Sequence, residues 1–245
     1  MDAIEKLKFV YFMLGIMLAT AVYANLLVLA TPSNDFMQSS QGISLLSNSI
    51  ENREIIVPVI SVSDFTNKGS IASMLIQGIP GNSQIYLRTN PYIDPTLQYS
   101  SNIASQVAKR YIENDEMDFI ITYDISSNYL GGESAGAAKT LAMIAIYTNQ
   151  SIRKDTIITG VIYPNGRIGF VEEIPEKIKT AANNGFKRIL IPEIHRKIDF
   201  SDRFILRRDF STSSLEDIKN YSFEKYGIEV ISVKNIDEVI ESMLI

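Results

Sequence analysis

Residues 131–136 read Gly131-Gly132-Glu133-Ser134-Ala135-Gly136, and 43 positions after that serine comes Lys177, within Pro175-Glu176-Lys177-Ile178-Lys179-Thr180-Ala181-Ala182. The first segment opens an apolar run whose period predicts a helix over 134–148, with Ala138, Leu141, Ala142 and Ala145 as its inner stripe. The second predicts a helix over 175–183, with Pro175 in its first turn and Gly185 at its end. On that helix Ile174, Lys177, Ile178 and Ala181 share a face, while Lys179 points elsewhere. A serine at a helix start paired with a lysine on an apolar face suggests a hydrolase in which an amine, not an imidazole, deprotonates the nucleophile.

The chemistry behind that pairing is specific. A serine hydroxyl is a weak nucleophile and needs a base beside it. A helix N-terminus offers unpaired N–H groups and partial positive charge, and adjacent glycines let the backbone approach closely. Those donors can stabilise an oxyanion. A lysine on an apolar stripe loses hydration and its pKa falls. Working as a base near neutrality takes a drop of about 3 units, roughly 4 kcal/mol. Each half also has a plain structural reading: Ser134 as a helix N-cap, Lys177 as a chain snorkelling along the stripe. Gly132-Glu133-Ser134-Ala135-Gly136 also fits G-x-S-x-G, but that motif needs a strand running straight into the serine. Here the preceding strand is expected to end near Asp124, and the only histidine, His195, lies in a charged segment.

Outward from these segments, strands and helices alternate. Strands are expected at 55–62, 83–88, 117–124, 188–191 and 228–233, with Pro58 marking the first as an edge strand. A hairpin is expected from 155–163 and 167–171 across Pro164-Asn165-Gly166. Further helices are expected at 98–113, 214–225 and 236–243, and a loop at 126–132. The pattern describes one α+β or α/β domain over 53–245.

Before it, 22 uncharged residues run from Phe9 to Ala30. As a helix they span about 33 Å, enough for a bilayer core of roughly 30 Å. Lys6 and Lys8 precede the run and Arg53 is the next basic residue, so the positive-inside rule places the N-terminus in the cytoplasm and the domain outside. Residues 1–31 therefore read as a transmembrane anchor, with a cleaved signal peptide as the alternative (Ala19, Ala21 and Ala24 offer small residues) and a buried core helix as the bland one. Residues 32–52 read as a polar linker.

Composition excludes several classes. A net charge of −5 leaves no basic footprint for nucleic acid. With no cysteine and one histidine, thiolate chemistry, Cys-based zinc sites and multi-histidine metal sites are out, and no cofactor is expected.

Taken in order, Ser134-Ala135-Gly136, Thr159-Gly160, Asn165-Gly166, Glu176-Lys177, Ala181-Ala182 and Ile189-Leu190-Ile191-Pro192 resemble the proteolytic domain of the Lon peptidases. Ile228-Glu229-Val230 and Asn235-Ile236-Asp237-Glu238-Val239 resemble that family's closing strand and helix, so the likeness covers roughly 53–245. The resemblance implies Ser134 as nucleophile, Lys177 as general base and Thr159 as a hydroxyl that helps hold the lysine amine. Gly132 and Glu133 would form the loop at the oxyanion. It also implies a polypeptide substrate bound in extended form beside a strand, and leaves a homo-oligomer open. The sequence departs from the pattern in three ways. It has no G-x-x-x-x-G-K-[ST], so ATP-driven unfolding is not expected within these residues. Residues 193–227 look like an insertion. Glu133 stands where several members have Pro or Asp, and a carboxylate there can obstruct the site or raise the lysine's pKa. The expected activity is an ATP-independent serine endopeptidase acting on unfolded or flexible chains at the membrane. The alternatives are a catalytically silent Lon-like binding module and an esterase using Ser134 with His195.

Overall fold

The computed structural model describes residues 53–63, 66–89, 92–112, 117–124, 129–130, 132–193 and 215–245. The expected anchor, the linker, His195 and most of the expected insertion lie outside them. Among the described residues no helix is long and apolar enough to cross a membrane.

The fold is mixed α+β. Strands β1 (Arg53–Val62), β2 (Gly69–Pro80), β3 (Ile85–Arg88) and β5 (Met117–Asp124) form a sheet in the order β1-β2-β5-β3. The β1–β2 and β2–β5 pairs are antiparallel and β3–β5 is parallel. Pro58 does sit on an edge strand, opposite Ser73, where a proline nitrogen costs no ladder bond. β2 lies in a stretch to which the sequence reading assigns no element. Its burial nonetheless alternates, with Ala72, Met74, Ile76 and Gly78 inward. The turn from β2 to β3 is organised by Asp118, whose carboxylate accepts from the N–H groups of Asn82 and Gln84, both at 2.7 Å.

The second sheet is parallel, β11 (Glu229–Val233), β10 (Arg188–Pro192) and β7 (Thr156–Ile158) in that order. The expected hairpin is shorter than its sequence suggests. Only β8 (Val161–Ile162) and β9 (Ile168–Gly169) pair, while β7 leaves to join β10. The chain breaks there because Thr159 N–H bonds the Leu190 carbonyl whereas Gly160 N–H turns to Ser134. The remaining pair, β4 (Tyr92–Ile93) with β6 (Tyr129–Leu130), is parallel.

Five helices complete the described structure. α1 (Pro95–Ala108) begins earlier than expected because Asp94 caps it, accepting from Thr96 N–H at 2.7 Å, with proline at the first position. α2 (Gly136–Thr148) is buried on nearly every side, from Gly136 to Tyr147, as a helix apolar all round should be. It packs on α1, β1, β2, β8 and α5 (Ile236–Met243). Its C-terminus ends at Asn149 in the left-handed region (φ 54°), and Arg53 donates to the Ile146 carbonyl at 3.0 Å. α3 (Ile174–Asn183) and α4 (Leu215–Tyr226) flank the parallel sheet, and Gly185 (φ 85°) closes α3 as expected. A separate core forms here from Ile157, Ile174, Ile178, Ile189, Ile218 and Val230.

Candidate active site

The expected helix start at Ser134 is corrected by the structure: α2 begins at Gly136, its N-cap is Ala135, and no side chain caps it. Ser134 is therefore not an N-cap. It sits in a turn closed by Gly136 N–H on the Glu133 carbonyl at 2.8 Å. The reason is tertiary. The Ser134 carbonyl accepts from Gly160 N–H at 2.8 Å and from the Thr159 hydroxyl at 3.4 Å, and Ala137 N–H returns a bond to the Gly160 carbonyl at 3.0 Å. The serine is stitched to the β7–β8 link before the helix starts.

Two glycines make that close approach feasible. A Cβ on Gly136 would lie 2.8 Å from the backbone nitrogen of Ile162, and one on Gly160 would lie 2.4 Å from the Ile168 side chain. Gly132 is required for a different reason: its φ of +92° is a conformation that L side chains rarely adopt, although nothing crowds the position. Its N–H reaches the Thr96 hydroxyl at 3.4 Å, tying the loop to the start of α1. Among the described residues no acceptor engages the N–H groups of Glu133 and Ser134, which leaves two donors free on the turn.

Lys177 lies on α3 and is 6% exposed. Its amine has no hydrogen-bond partner among the described residues. Burial pulls its pKa down to about 8, against the opposing carboxylates of Glu173 and Glu172. Glu173 itself precedes α3 in the left-handed region (φ 59°), an uncommon conformation for glutamate. Of the residues expected to form the site, Ser134 and Thr159 are in contact. Ser134 and Lys177 share no hydrogen bond. Thr159 is buried and bonds the serine's carbonyl instead of the lysine amine.

The sequence reading missed a second buried amine. Lys139, one turn into α2, is fully buried, and its Nζ donates to the Ser101 hydroxyl at 3.1 Å, with the Leu97 carbonyl at 3.5 Å. Burial takes its pKa down to about 7, with Glu133 acting the other way. Its one mark in the sequence is that it is the only charged residue of this 13-residue helix, which by itself does not separate a buried lysine from a solvated one.

A cleft of about 540 Å³ lies elsewhere, lined by Tyr163, Arg167, Phe170, Glu193, Lys234 and Asn235 among others, and includes none of the expected site residues. Among the described residues no cluster of three or more His, Cys, Asp or Glu side chains is placed to hold a metal.

Comparison with known proteins bears on this arrangement. The family model of the Lon protease (S16) C-terminal proteolytic domain matches residues 101–245. The archaeal Lon protease of Methanocaldococcus jannaschii is 29% identical over 132 residues, 54% of this chain and 17% of that protein. The Lon protease of Trichlorobacter lovleyi is 33% identical over 113 residues, 46% of this chain and 12% of its own length. That of Lachnoclostridium phytofermentans is 25% identical over 183 residues, 72% of this chain and 20% of its own. The chain thus spans a fifth or less of each of these relatives. The matched region contains the Ser134 turn, the Thr159-Gly160 link, α3 with Lys177 and the closing β11–α5 unit, and the chain belongs to the Lon protease family through its C-terminal proteolytic domain.

Proposed function

We propose that this chain is a serine endopeptidase in which Ser134 is the nucleophile and Lys177 the general base. The observation that carries the reading is Lys177: a lysine buried on α3, without a hydrogen-bond partner among the described residues, whose pKa is drawn down to about 8. A neutral amine is available there at mildly alkaline pH, as a base for a serine requires. The Ser134 Oγ attacks the scissile carbonyl carbon and gives its proton to the Lys177 amine. The carbonyl π pair moves to oxygen, and the free N–H groups of Glu133 and Ser134 are the donors suited to meet that oxyanion. The resulting ammonium protonates the leaving amine as the C–N bond breaks. Water, deprotonated by the same amine, then attacks the acyl carbon, the bond from that carbon to the Ser134 Oγ breaks, and the ammonium returns its proton to the serine oxygen. Thr159 holds the serine's backbone through its carbonyl.

The substrate in this reading is an unfolded or flexible polypeptide, and the hydrolysis it undergoes at Ser134 needs no ATP, because the proton transfers are carried by the Lys177 amine. The uncharged run Phe9–Ala30, with its flanking lysines, supports a single-pass anchor and an extracytoplasmic domain. A cleaved segment would give a secreted domain instead. One observation favours a second reading, a catalytically silent module: Glu172 and Glu173 both favour the charged form of Lys177.

The test is labelling of the full chain by a serine-directed fluorophosphonate, with hydrolysis of an unfolded casein alongside. Labelling at Ser134 that disappears in Ser134→Ala and Lys177→Ala, with circular dichroism unchanged, is the expected result. A parent chain inert in both assays favours the silent module. Full activity in Ser134→Ala removes the dyad, and activity dependent on His195 would revive the esterase.

A further inference from the structure

The outer face of the β8–β9 hairpin lines a cleft that the dyad does not use. Strand alternation decides which side chains face it. Ile162 and Ile168 turn into the core, so Tyr163, Arg167 and Gly169 face outward. Tyr163 and Arg167 stand opposite each other across the hairpin, with Tyr163 N–H on the Arg167 carbonyl at 3.0 Å. The guanidinium carbon lies 6.0 Å from the centroid of the Tyr163 ring. Gly169 leaves room for that ring to lie down, since a Cβ there would come within 2.5 Å of it. Phe170 follows, and Tyr163 and Phe170 are 44% and 45% exposed.

The opposite wall is the link from β11 to α5, Lys234 and Asn235, with Glu193 just past β10. Backbone bonds fix the two walls to each other. Ile168 N–H reaches the Lys234 carbonyl at 2.8 Å, and Ile236 N–H reaches the Gly166 carbonyl at 2.9 Å. Arg110 braces the hairpin turn by donating to the Pro164 carbonyl. The space between the walls, about 540 Å³, is of ligand size. Its charge is uneven. The Lys234 ammonium lies 3.5 Å from the Glu193 carboxylate, so those two offset each other. Arg167 has no carboxylate partner among the described residues. The cleft is thus cationic in a chain whose net charge is −5. A guanidinium laid over a ring still presents its planar fork to a ligand, and that fork matches a carboxylate at two points.

The geometry points to this cleft as an exosite for acidic polypeptide: Arg167 receives an Asp or Glu side chain, and the rings of Tyr163 and Phe170 receive a large apolar side chain beside it. The cleft lies close to the serine. Gly160, whose N–H holds the Ser134 carbonyl, is three residues before Tyr163, a reach of about 10 Å in extended chain. Between them, the backbone of Ile162 lies against Gly136 at the start of α2. A substrate segment in the cleft is therefore within roughly four residues of the serine turn. Use of the cleft to choose substrates rests on the serine-lysine reading, whereas the binding itself does not.

The experiment measures fluorescence anisotropy of short labelled peptides with the full chain carrying Ser134→Ala. Two probes are amidated at the C-terminus and differ only in a central Phe-Glu or Phe-Gln. The glutamate peptide should bind roughly tenfold tighter, the size of one charge-assisted contact. Arg167→Gln should bring the two peptides level, since carboxylate and guanidinium act as a pair. Arg167→Lys, which keeps the charge without the fork, should restore only part of the preference. Phe170→Ala should weaken both peptides alike. Thermal midpoints of these exposed-site variants should match the parent's. Equal affinity for the two peptides, binding of neither, or a preference that survives in Arg167→Gln would overturn the inference. A third probe, the glutamine peptide with a free C-terminal carboxylate, should bind no better than its amide; if it outbinds the glutamate peptide, the cleft reads chain ends and the inference also falls. If fluorophosphonate labelling of the parent chain misses Ser134 while the glutamate preference holds, the dyad falls and the binding site stands. If Ser134 labels and the preference is absent, only this inference falls.

Discussion

Replacing Lys177 by methionine should stabilise the protein while abolishing the proposed peptidase activity. In the folded chain the lysine's pKa is about 8, against an ordinary value of 10.5. A depressed lysine pKa means that the fold disfavours the charged form. Below pH 8 the amine is charged in both states, and the whole difference, about 2.5 units or roughly 3 kcal/mol, counts against the native state. Between 8 and 10.5 the unfolded chain binds more protons than the folded one, so stability rises with pH through that window. By pH 10 the penalty falls to about 1 kcal/mol. Methionine carries no such penalty, so Lys177→Met should exceed the parent by about 3 kcal/mol at pH 7 and by about 1 kcal/mol at pH 10. Urea unfolding of both full-length proteins, followed by far-UV circular dichroism, measures the gap. The chain has no tryptophan, which makes circular dichroism the better probe. A variant no more stable than the parent at pH 7, or a gap that does not change with pH, would refute the reasoning that this amine is held in a desolvated site.

Three further outcomes are expected. If the neutral Lys177 amine is the base, the hydrolysis rate should climb with pH and level off above about 8, and an initial-rate profile with its midpoint near 6 would contradict that assignment. Gly136→Ala should cost more than a surface change, on the order of 2 kcal/mol, because the new methyl meets backbone at 2.8 Å, and its serine labelling should slow as α2 is pushed off β8; an unshifted thermal midpoint would show that α2 sits farther from that strand. Asp118→Ala leaves the N–H groups of Asn82 and Gln84 without their acceptor, a loss of about 1–3 kcal/mol detectable by urea titration, with the Ser134 labelling rate unchanged.

Most of the elements were legible because their signals are local. The strand at Met117–Asp124 and the final helix Ile236–Met243 match the sequence reading residue for residue, since a short apolar run and an asparagine cap mark their own limits. β2 escaped because Gly69, Ser70, Ser73 and Gly78 dilute its apolar alternation, and its inward face is decided by β1, β5 and α2 around it. The start of α2 was misplaced for a related reason. Nothing near Ser134 announces that Gly160, 26 residues later, takes its carbonyl. The same limit applies to Thr159, whose hydroxyl follows that link. Lys177 was visible as a lysine on an apolar stripe. Lys139 was not, because a single lysine in an apolar helix reads equally well as a solvated one until α1 is packed over it.

Pro58 on the outermost strand has a consequence for how copies of the protein treat one another. β1 is ten residues long and carries an outward Ile56 that is 67% exposed. A strand of that length and character invites a neighbouring molecule to extend the sheet. The pyrrolidine nitrogen removes one donor midway along this border, so a visiting strand cannot zip past it without a break. A valine at this position would leave the protein's own hairpin intact and restore an unbroken row of donors. The molecule would then be expected to polymerise edge to edge at concentrations where the parent stays dispersed.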